Sequence, residues 1–91
     1  MKQLTLSDVR SAMLQMLLRT PQNLSDEELL AADFWFDLGM DEQQILNLTI
    51  DLQRGHHIYF PPEVTESLRN DNTVRNFLTL ANRLLVDMDE K

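Results

Sequence analysis

The stretch DFWFDLGMDE, residues 33–42, joins the two halves of this chain and constrains how they can pack. Its three adjacent aromatic residues cannot all be buried on one face of a helix or a strand, because neighbouring side chains point in different directions. We therefore expect Phe34 and Leu38 to fill the core and Trp35 or Phe36 to lie at the surface. Whether Trp35 is a core residue or an anchor for a partner stays open, and the small size of the chain slightly favours the core.

A helix is predicted at the end of this stretch. Asp41 is a favoured N-cap residue, and the apolar spacing that follows it is typical of a helix with one buried face. Gly55 suits the position after a helix C-terminus, so the helix is predicted over about residues 41–54. Its core stripe is formed by Ile45, Leu48, Thr49 and Leu52.

Further helices are predicted over about residues 7–19, 62–68 and 73–86. Ser7 is the candidate N-cap of the first, and Pro21 would end it. The short helix over residues 62–68 has proline in its first turn. Thr73 would cap the helix over residues 73–86, in which apolar residues repeat at spacings of three and four.

These patterns predict an all-α fold with a single domain over residues 1–91. Three main helices and one short helix pack together, and a long loop over residues 21–40 connects the first two main helices. Within this loop, Ser25 and Glu28 form a capping box that predicts one further turn. The polar tail over residues 87–91 is expected to fray.

The composition excludes several classes of function. The chain has 91 residues, no cysteine and a net charge of −7, so disulfides and thiolate metal sites are excluded and nucleic-acid binding is disfavoured. No apolar run suits a signal peptide or a membrane span, and we expect a soluble, cytoplasmic monomer. Between Arg19 and Arg54 all charged residues are acidic. These acidic residues form either a solvated face or a surface that attracts a basic protein. The charge distribution alone favours the solvated face.

No arrangement of residues indicates catalysis or a metal site. No serine is placed with a histidine and an acid, and there is no glycine-rich phosphate loop, so we expect no enzyme activity. His56 and His57 are adjacent and would point to opposite sides of an extended segment, so a partly buried His56 is favoured over a zinc ligand. The spacing of Asp33, Asp37 and Asp41 does not match a calcium-binding loop.

Several motifs occur in an order that resembles acyl carrier proteins. The segment Phe34-x-x-Asp37-Leu38-Gly39-x-Asp41 is similar to the sequence that leads into the second helix of these carriers. Ile58-x-Phe60-Pro61 resembles the turn after that helix, and Thr73-Val74 resembles the start of the last helix. The resemblance covers nearly the whole chain and implies a four-helix bundle with a long first loop.

The chain departs from this family at the position that carries the family's chemistry. In acyl carrier proteins the residue after the aspartate is the serine that receives 4′-phosphopantetheine, whereas here it is Glu42. A carboxylate cannot form the same stable phosphodiester, and Ser7, Ser11, Ser25 and Ser67 all lie elsewhere in the pattern. We therefore expect no phosphopantetheine and no other cofactor. An acid in the first turn still stabilises a helix, by about 0.3–1 kcal/mol.

The resemblance also implies a protein-binding face on the helix after Asp41. Four residues spaced by four, three and four, here called the outer row, lie opposite its core stripe: Gln43, Asn47, Ile50 and Arg54. Carriers tend to have an apolar residue, a glutamate, a methionine and a glutamate at these positions, so both glutamates are missing. We expect Asp37, Asp41 and Glu42 to attract a partner with a basic surface, of the fatty-acid or polyketide synthesis type, and Ile50 to provide the apolar contact.

Two functions remain open from the sequence. The first is an interaction module that binds a protein without a prosthetic group. The second is a divergent acyl carrier in fatty-acid or polyketide-like synthesis, modified at an unusual site. An unrelated helical regulator of the antitoxin type is disfavoured, because a generic helical bundle does not require Asp37-Leu38-Gly39 and Ile58-x-Phe60-Pro61 in this order.

Overall fold

The computed structural model describes residues 2–16 and 20–89. Within them the chain forms five α-helices: α1 (Leu6–Gln15), α2 (Asp26–Ala31), α3 (Glu42–His56), α4 (Glu63–Glu66) and α5 (Val74–Leu84). Two short strands pair antiparallel: β1 (Ile58–Tyr59) and β2 (Val86–Asp87). The predicted helical class is confirmed at this level, with a small sheet that the sequence did not predict. The radius of gyration is 12.3 Å, close to the roughly 12 Å expected of a compact chain of this length.

The N-cap of α1 is Thr5, so the prediction of Ser7 as the cap is wrong. The Thr5 hydroxyl accepts a hydrogen bond from the backbone N–H of Asp8 at 3.1 Å, and the Asp8 carboxylate accepts one from the backbone N–H of Thr5 at 2.9 Å. This capping box satisfies two N–H groups that a helix start leaves free. The helix ends at Gln15, four residues earlier than predicted, and residues 17–19 lie outside the described part of the chain. Its buried residues, Val9, Ala12 and Met13, lie at spacings of three and one on a single face.

The connection between α1 and α3 contains a complete short helix, α2, instead of a single turn. The predicted capping box is present: the Ser25 hydroxyl accepts from the Glu28 backbone N–H at 3.2 Å, and the Glu28 carboxylate accepts from the Ser25 N–H at 3.0 Å. The hydrogen bond from the Ser25 backbone N–H to the Glu28 carboxylate, followed by one from the Ser25 side chain, holds the pKa of the Glu28 carboxyl below its ordinary value. Leu29 is fully buried and fixes α2 against the core.

The C-terminal end of α3 differs from the prediction that it stops before Gly55. The helix continues through His56, and the residue in the left-handed conformation after it is His57, with φ of 54°. The His57 backbone N–H bonds the carbonyl of Gln53 and closes the last turn. His56 is partly buried, as predicted, but it lies on a helix and not on an extended segment.

The two ends of the described chain meet beside the end of α3, so the predicted fraying of the tail is wrong for residues 87–89. Strand β2 pairs with β1, and the Lys2 ammonium donates to the His56 carbonyl at 2.9 Å and to the Asp89 carboxylate at 2.6 Å. His57 Nδ1 lies 3.0 Å from the other Asp89 oxygen. The hydrogen bond from Lys2, followed by that from His57, holds the pKa of the Asp89 carboxyl below its ordinary value.

The predicted short helix at residues 62–68 is α4 followed by a 3-10 turn, Ser67–Arg69. The last helix, α5, is shorter than the predicted range of 73–86, but its cap is confirmed, since the Thr73 hydroxyl accepts from the Asn76 backbone N–H at 3.2 Å. Its predicted stripe is buried at Val74, Phe77, Leu78 and Ala81 and half-buried at Leu84 and Leu85. Within the described residues, no helix has the length and apolar character needed to cross a membrane.

Three phenylalanines form the centre of the core. Phe77 from α5 lies edge-to-face against Phe34, with ring centroids 5.9 Å apart, and edge-to-face against Phe60, at 5.8 Å. Phe34 precedes α3 and Phe60 follows it, so Phe77 connects both ends of that helix to α5. Such pairs contribute about 0.5–1.5 kcal/mol each beyond the burial of their area.

Candidate functional site

The segment before α3, residues 33–40, is called the aromatic loop here, and its own hydrogen bonds determine its shape. One oxygen of the Asp33 carboxylate accepts from the backbone N–H groups of Trp35 and Phe36, at 2.8 and 2.9 Å. The Asp37 carboxylate accepts from the Asp33 N–H at 2.7 Å. Gly39 has φ of 65°, a left-handed conformation that glycine adopts without strain. The loop is therefore held as a compact turn.

Backbone bonds to the start of α5 fix the aromatic loop in the fold. The Phe34 N–H bonds the Asn72 carbonyl at 2.9 Å, and the Val74 N–H bonds the Ala32 carbonyl at 3.1 Å. Phe34 and Leu38 are buried, which confirms the prediction for both.

Trp35 and Phe36 are both exposed. Trp35 is 56% exposed and Phe36 is 88% exposed, so the sequence-based preference for a core position of Trp35 is wrong. The reason is geometric: the turn that buries Phe34 and Leu38 directs the residues between them outward.

The predicted acidic residues lie together at the start of α3. The Asp41 carboxylate accepts from the Gln44 backbone N–H at 2.8 Å, and the Gln44 side-chain carbonyl accepts from the Asp41 N–H at 2.9 Å, so the predicted N-cap is confirmed. Glu42 is the first residue of the helix and its side chain is exposed. Asp37 is exposed too, although one of its oxygens is engaged within the aromatic loop.

The outer row lies on the side of α3 opposite its core stripe, whose members Ile45, Leu48, Thr49 and Leu52 are buried as predicted. Gln43, Asn47 and Arg54 are exposed, and Ile50 is half-buried. The Gln43 side-chain amide donates to Asn47 at 3.1 Å. The row thus presents amides, one partly covered apolar side chain and one cation to solvent.

A groove of about 670 Å³ lies beside Glu42, and the sequence did not predict it. It is open to solvent on one side and is bordered by the aromatic loop, the first turns of α3 and the segment formed by α4 with the following 3-10 turn. Leu46, which is 47% exposed, lies on its α3 side. The sequence feature that could have indicated this groove is Leu46, an apolar residue outside the core stripe. It lies about 100° around the helix from Ile45.

The described residues contain no group of three or more histidine, aspartate and glutamate side chains arranged to hold a metal ion. No protein-family model, curated protein sequence or solved structure matches the chain.

Proposed function

We propose that this chain is an acyl-carrier-protein-like module that binds a protein partner and carries no phosphopantetheine arm. The order of its features supports the proposal: a turn containing Asp37, Leu38 and Gly39, a helix capped by Asp41, and a proline turn leading to a short helix. A last helix capped by Thr73 completes the order. The chain departs from a regular four-helix carrier by the additional helix α2 and the strand pair β1–β2.

The observation that carries the proposal is the position of Glu42. It is exposed in the first turn of α3, directly after the aspartate that caps the helix, which is where the resemblance places the attachment serine. Its carboxylate lacks the hydroxyl nucleophile that would take phosphopantetheine from coenzyme A. The same carboxylate is favourable at a helix N-terminus, so the residue has a structural role without the chemistry.

The partner that fits this end of the helix has a basic surface. Asp37, Asp41 and Glu42 are all exposed there, and the half-buried Ile50 lies about two turns further along α3. Charges of this kind accelerate encounter with a basic protein, and an apolar contact then fixes the register. A synthesis enzyme of the fatty-acid or polyketide type is the partner that the resemblance implies. Docking would differ from that of ordinary carriers, because the outer row ends in Arg54.

The first prediction follows directly: the purified protein has the mass of its unmodified chain. It also stays unmodified after incubation with coenzyme A and a broad-specificity phosphopantetheinyl transferase, as intact-mass spectrometry would show. In Glu42→Ser a serine stands at the attachment position, and this variant is expected to gain the arm. Gln43→Ser is the matched control, since it places the hydroxyl one residue further along the same turn and should not be loaded.

Detection of the arm on the wild-type chain, at any residue, would support the alternative of a divergent acyl carrier and overturn the proposal. If Glu42→Ser also stays unmodified, the outer row is as important for the transferase as the serine.

A further inference from the structure

We infer that the groove beside Glu42 is a docking site for an apolar segment of a protein partner flanked by lysine or arginine. The inference rests on the proposed function in taking the ligand to be a protein, and it states where that protein docks and by which chemistry. The site is distinct from the outer row of α3, which faces away from the core stripe.

The groove has an apolar wall in which Trp35, Phe36 and Leu46 are exposed, while Ile45 and Leu68 are buried behind them. Trp35 and Phe36 line it from the aromatic loop, Ile45 and Leu46 from α3, and Leu68 from the turn after α4. Its volume of about 670 Å³ lies within the range of about 300–1,000 Å³ that binding clefts have. Tryptophan and phenylalanine are enriched in protein interfaces, and tryptophan is among the residues that most often carry their binding energy.

The aromatic wall is held in place before any partner binds. The Asp33 carboxylate bonds the backbone N–H groups of both Trp35 and Phe36, and Asn72 donates to the same oxygen at 3.3 Å. Because the backbone of the two aromatic residues is already fixed, a partner loses little free energy in ordering the loop. The exposure of Trp35 and Phe36 is thus a property of an ordered turn.

The charges around the groove select the partner. Asp33, Glu42 and Glu66 line it together with one cation, Arg69, which leaves two negative charges in excess. In the part of the chain that the structure describes, neither Glu42 nor Glu66 forms an ion pair, so both can pair with cations of a ligand. Lysine or arginine beside an apolar anchor would meet these carboxylates, and could also stack on the aromatic faces.

The same charges disfavour the other occupants of such a groove. A second copy of this chain carries a net charge of −7 and would bring the same acidic rim to the contact. A free carboxylic acid or an anionic lipid surface would meet two excess negative charges, which repel it. A basic and apolar protein segment is the occupant that satisfies both the wall and the rim.

The direct test uses a defined probe and the only tryptophan of the chain, Trp35. The probe is a short capped peptide without aromatic residues, in which two leucines on one helical face are flanked by lysines. We expect saturable binding with a blue shift of the Trp35 emission, and a Kd that rises with salt. Control peptides in which glutamate replaces lysine, or serine replaces leucine, should bind at least about tenfold more weakly.

Variants of the chain test whether the groove itself holds the peptide. Phe36→Ala and Glu66→Gln should each raise the Kd by about fivefold or more. Two matched controls lie outside the groove lining: Tyr59→Ala changes another exposed aromatic residue, and Glu63→Gln changes another exposed acid on α4. Both should bind the peptide as the wild type does. Thermal melts of all four variants separate loss of binding from loss of fold.

Amide chemical shifts measured with the same peptide determine its location. Saturable shifts at Trp35, Leu46 and Leu68 support the inference. Shifts confined to the outer row overturn the inference and leave the proposed function standing. Attachment of phosphopantetheine would overturn the proposed function without altering the peptide result. The inference also fails if the Trp35 emission responds to dodecyl maltoside but not to the peptide, or if sedimentation shows that a second copy occupies the groove.

Discussion

The aromatic residues of this chain divide into two regions with opposite surroundings. Phe34, Phe60 and Phe77 are packed edge-to-face at the centre of the core, whereas Trp35 and Phe36 project from the turn that begins with Phe34. Phe34, which is fully buried, is directly followed by the exposed Trp35. Asn72 bonds the backbone of Phe34, and Asp33 bonds the backbones of Trp35 and Phe36, so the two sides of the turn differ in direction and not in order.

This contrast indicates which region provides stability and which is available for recognition. Burying a large apolar side chain stabilises a fold by about 1.5–3 kcal/mol, so the core phenylalanines are a large part of the stability of a small domain. The exposed pair adds less, because Trp35 is only partly covered and Phe36 is covered little. An exposed aromatic pair beside a groove has its apolar surface free for a partner.

The largest expected effect is the loss of a core ring. Phe77→Ala should lower the free energy of unfolding by about 3–5 kcal/mol, because a fully buried ring that touches two others is removed. Phe36→Ala is the matched control and should change it by less than about 0.5 kcal/mol. Urea and thermal unfolding measure both. A melting temperature of Phe77→Ala within error of the wild type would contradict the division between the two regions.

On the exposed side, Ile50→Ala is expected to act on dissociation. Ile50 is half-buried in the free chain, and full burial by a partner would add its remaining apolar area to the contact. The dissociation rate should then increase about 5- to 30-fold, corresponding to about 1–2 kcal/mol. Surface plasmon resonance against a partner captured by pull-down measures this rate. An unchanged rate would remove the outer row from the interface and leave Trp35 and Phe36 as its anchors.

A smaller effect is expected from the charges at the start of α3. Asp41→Asn combined with Glu42→Gln should slow association with the same partner and flatten its dependence on salt, because rim charges act on the encounter. Asparagine caps a helix about as well as aspartate, so the fold is retained. Circular dichroism checks the fold, and association rates at several salt concentrations check the charge effect. Equal salt dependence in variant and wild type would exclude this acidic end from steering.

The smallest effect is expected where the two ends of the chain meet. The pKa of Asp89 is lowered by Lys2 and then His57, so its contribution to stability is present above the ordinary value of 3.8 and is lost as the pH falls below it. Asp89→Asn should therefore lower the urea midpoint slightly at neutral pH and not at strongly acid pH. Glu63→Gln, outside this cluster, serves as the control. A large loss of stability in Asp89→Asn would show that the pairs of Asp89 with Lys2 and His57 contribute more than exposed ion pairs usually do.

Local physical chemistry made several elements predictable from the sequence. Ser25, Asp41 and Thr73 cap helices because each side chain bonds a backbone N–H only three residues ahead. The buried face of α5 follows from apolar residues at spacings of three and four. The cap of α1 was assigned to the wrong residue because Thr5 and Ser7 are both suitable caps, and local sequence does not choose between them.

Contacts between residues far apart in sequence decided the rest. The bond between Lys2 and Asp89 spans 87 positions, and it lies beside His56 and His57, at the end of α3. The groove brings Trp35 and Leu46 together with Leu68, which belongs to a separate element. The sequence by itself determined the caps of α2, α3 and α5, the helical faces and the presence of Glu42 after Asp41. Only the tertiary structure decided which aromatic residues face solvent and what surrounds Glu42, because these depend on how the elements pack and not on neighbours along the chain.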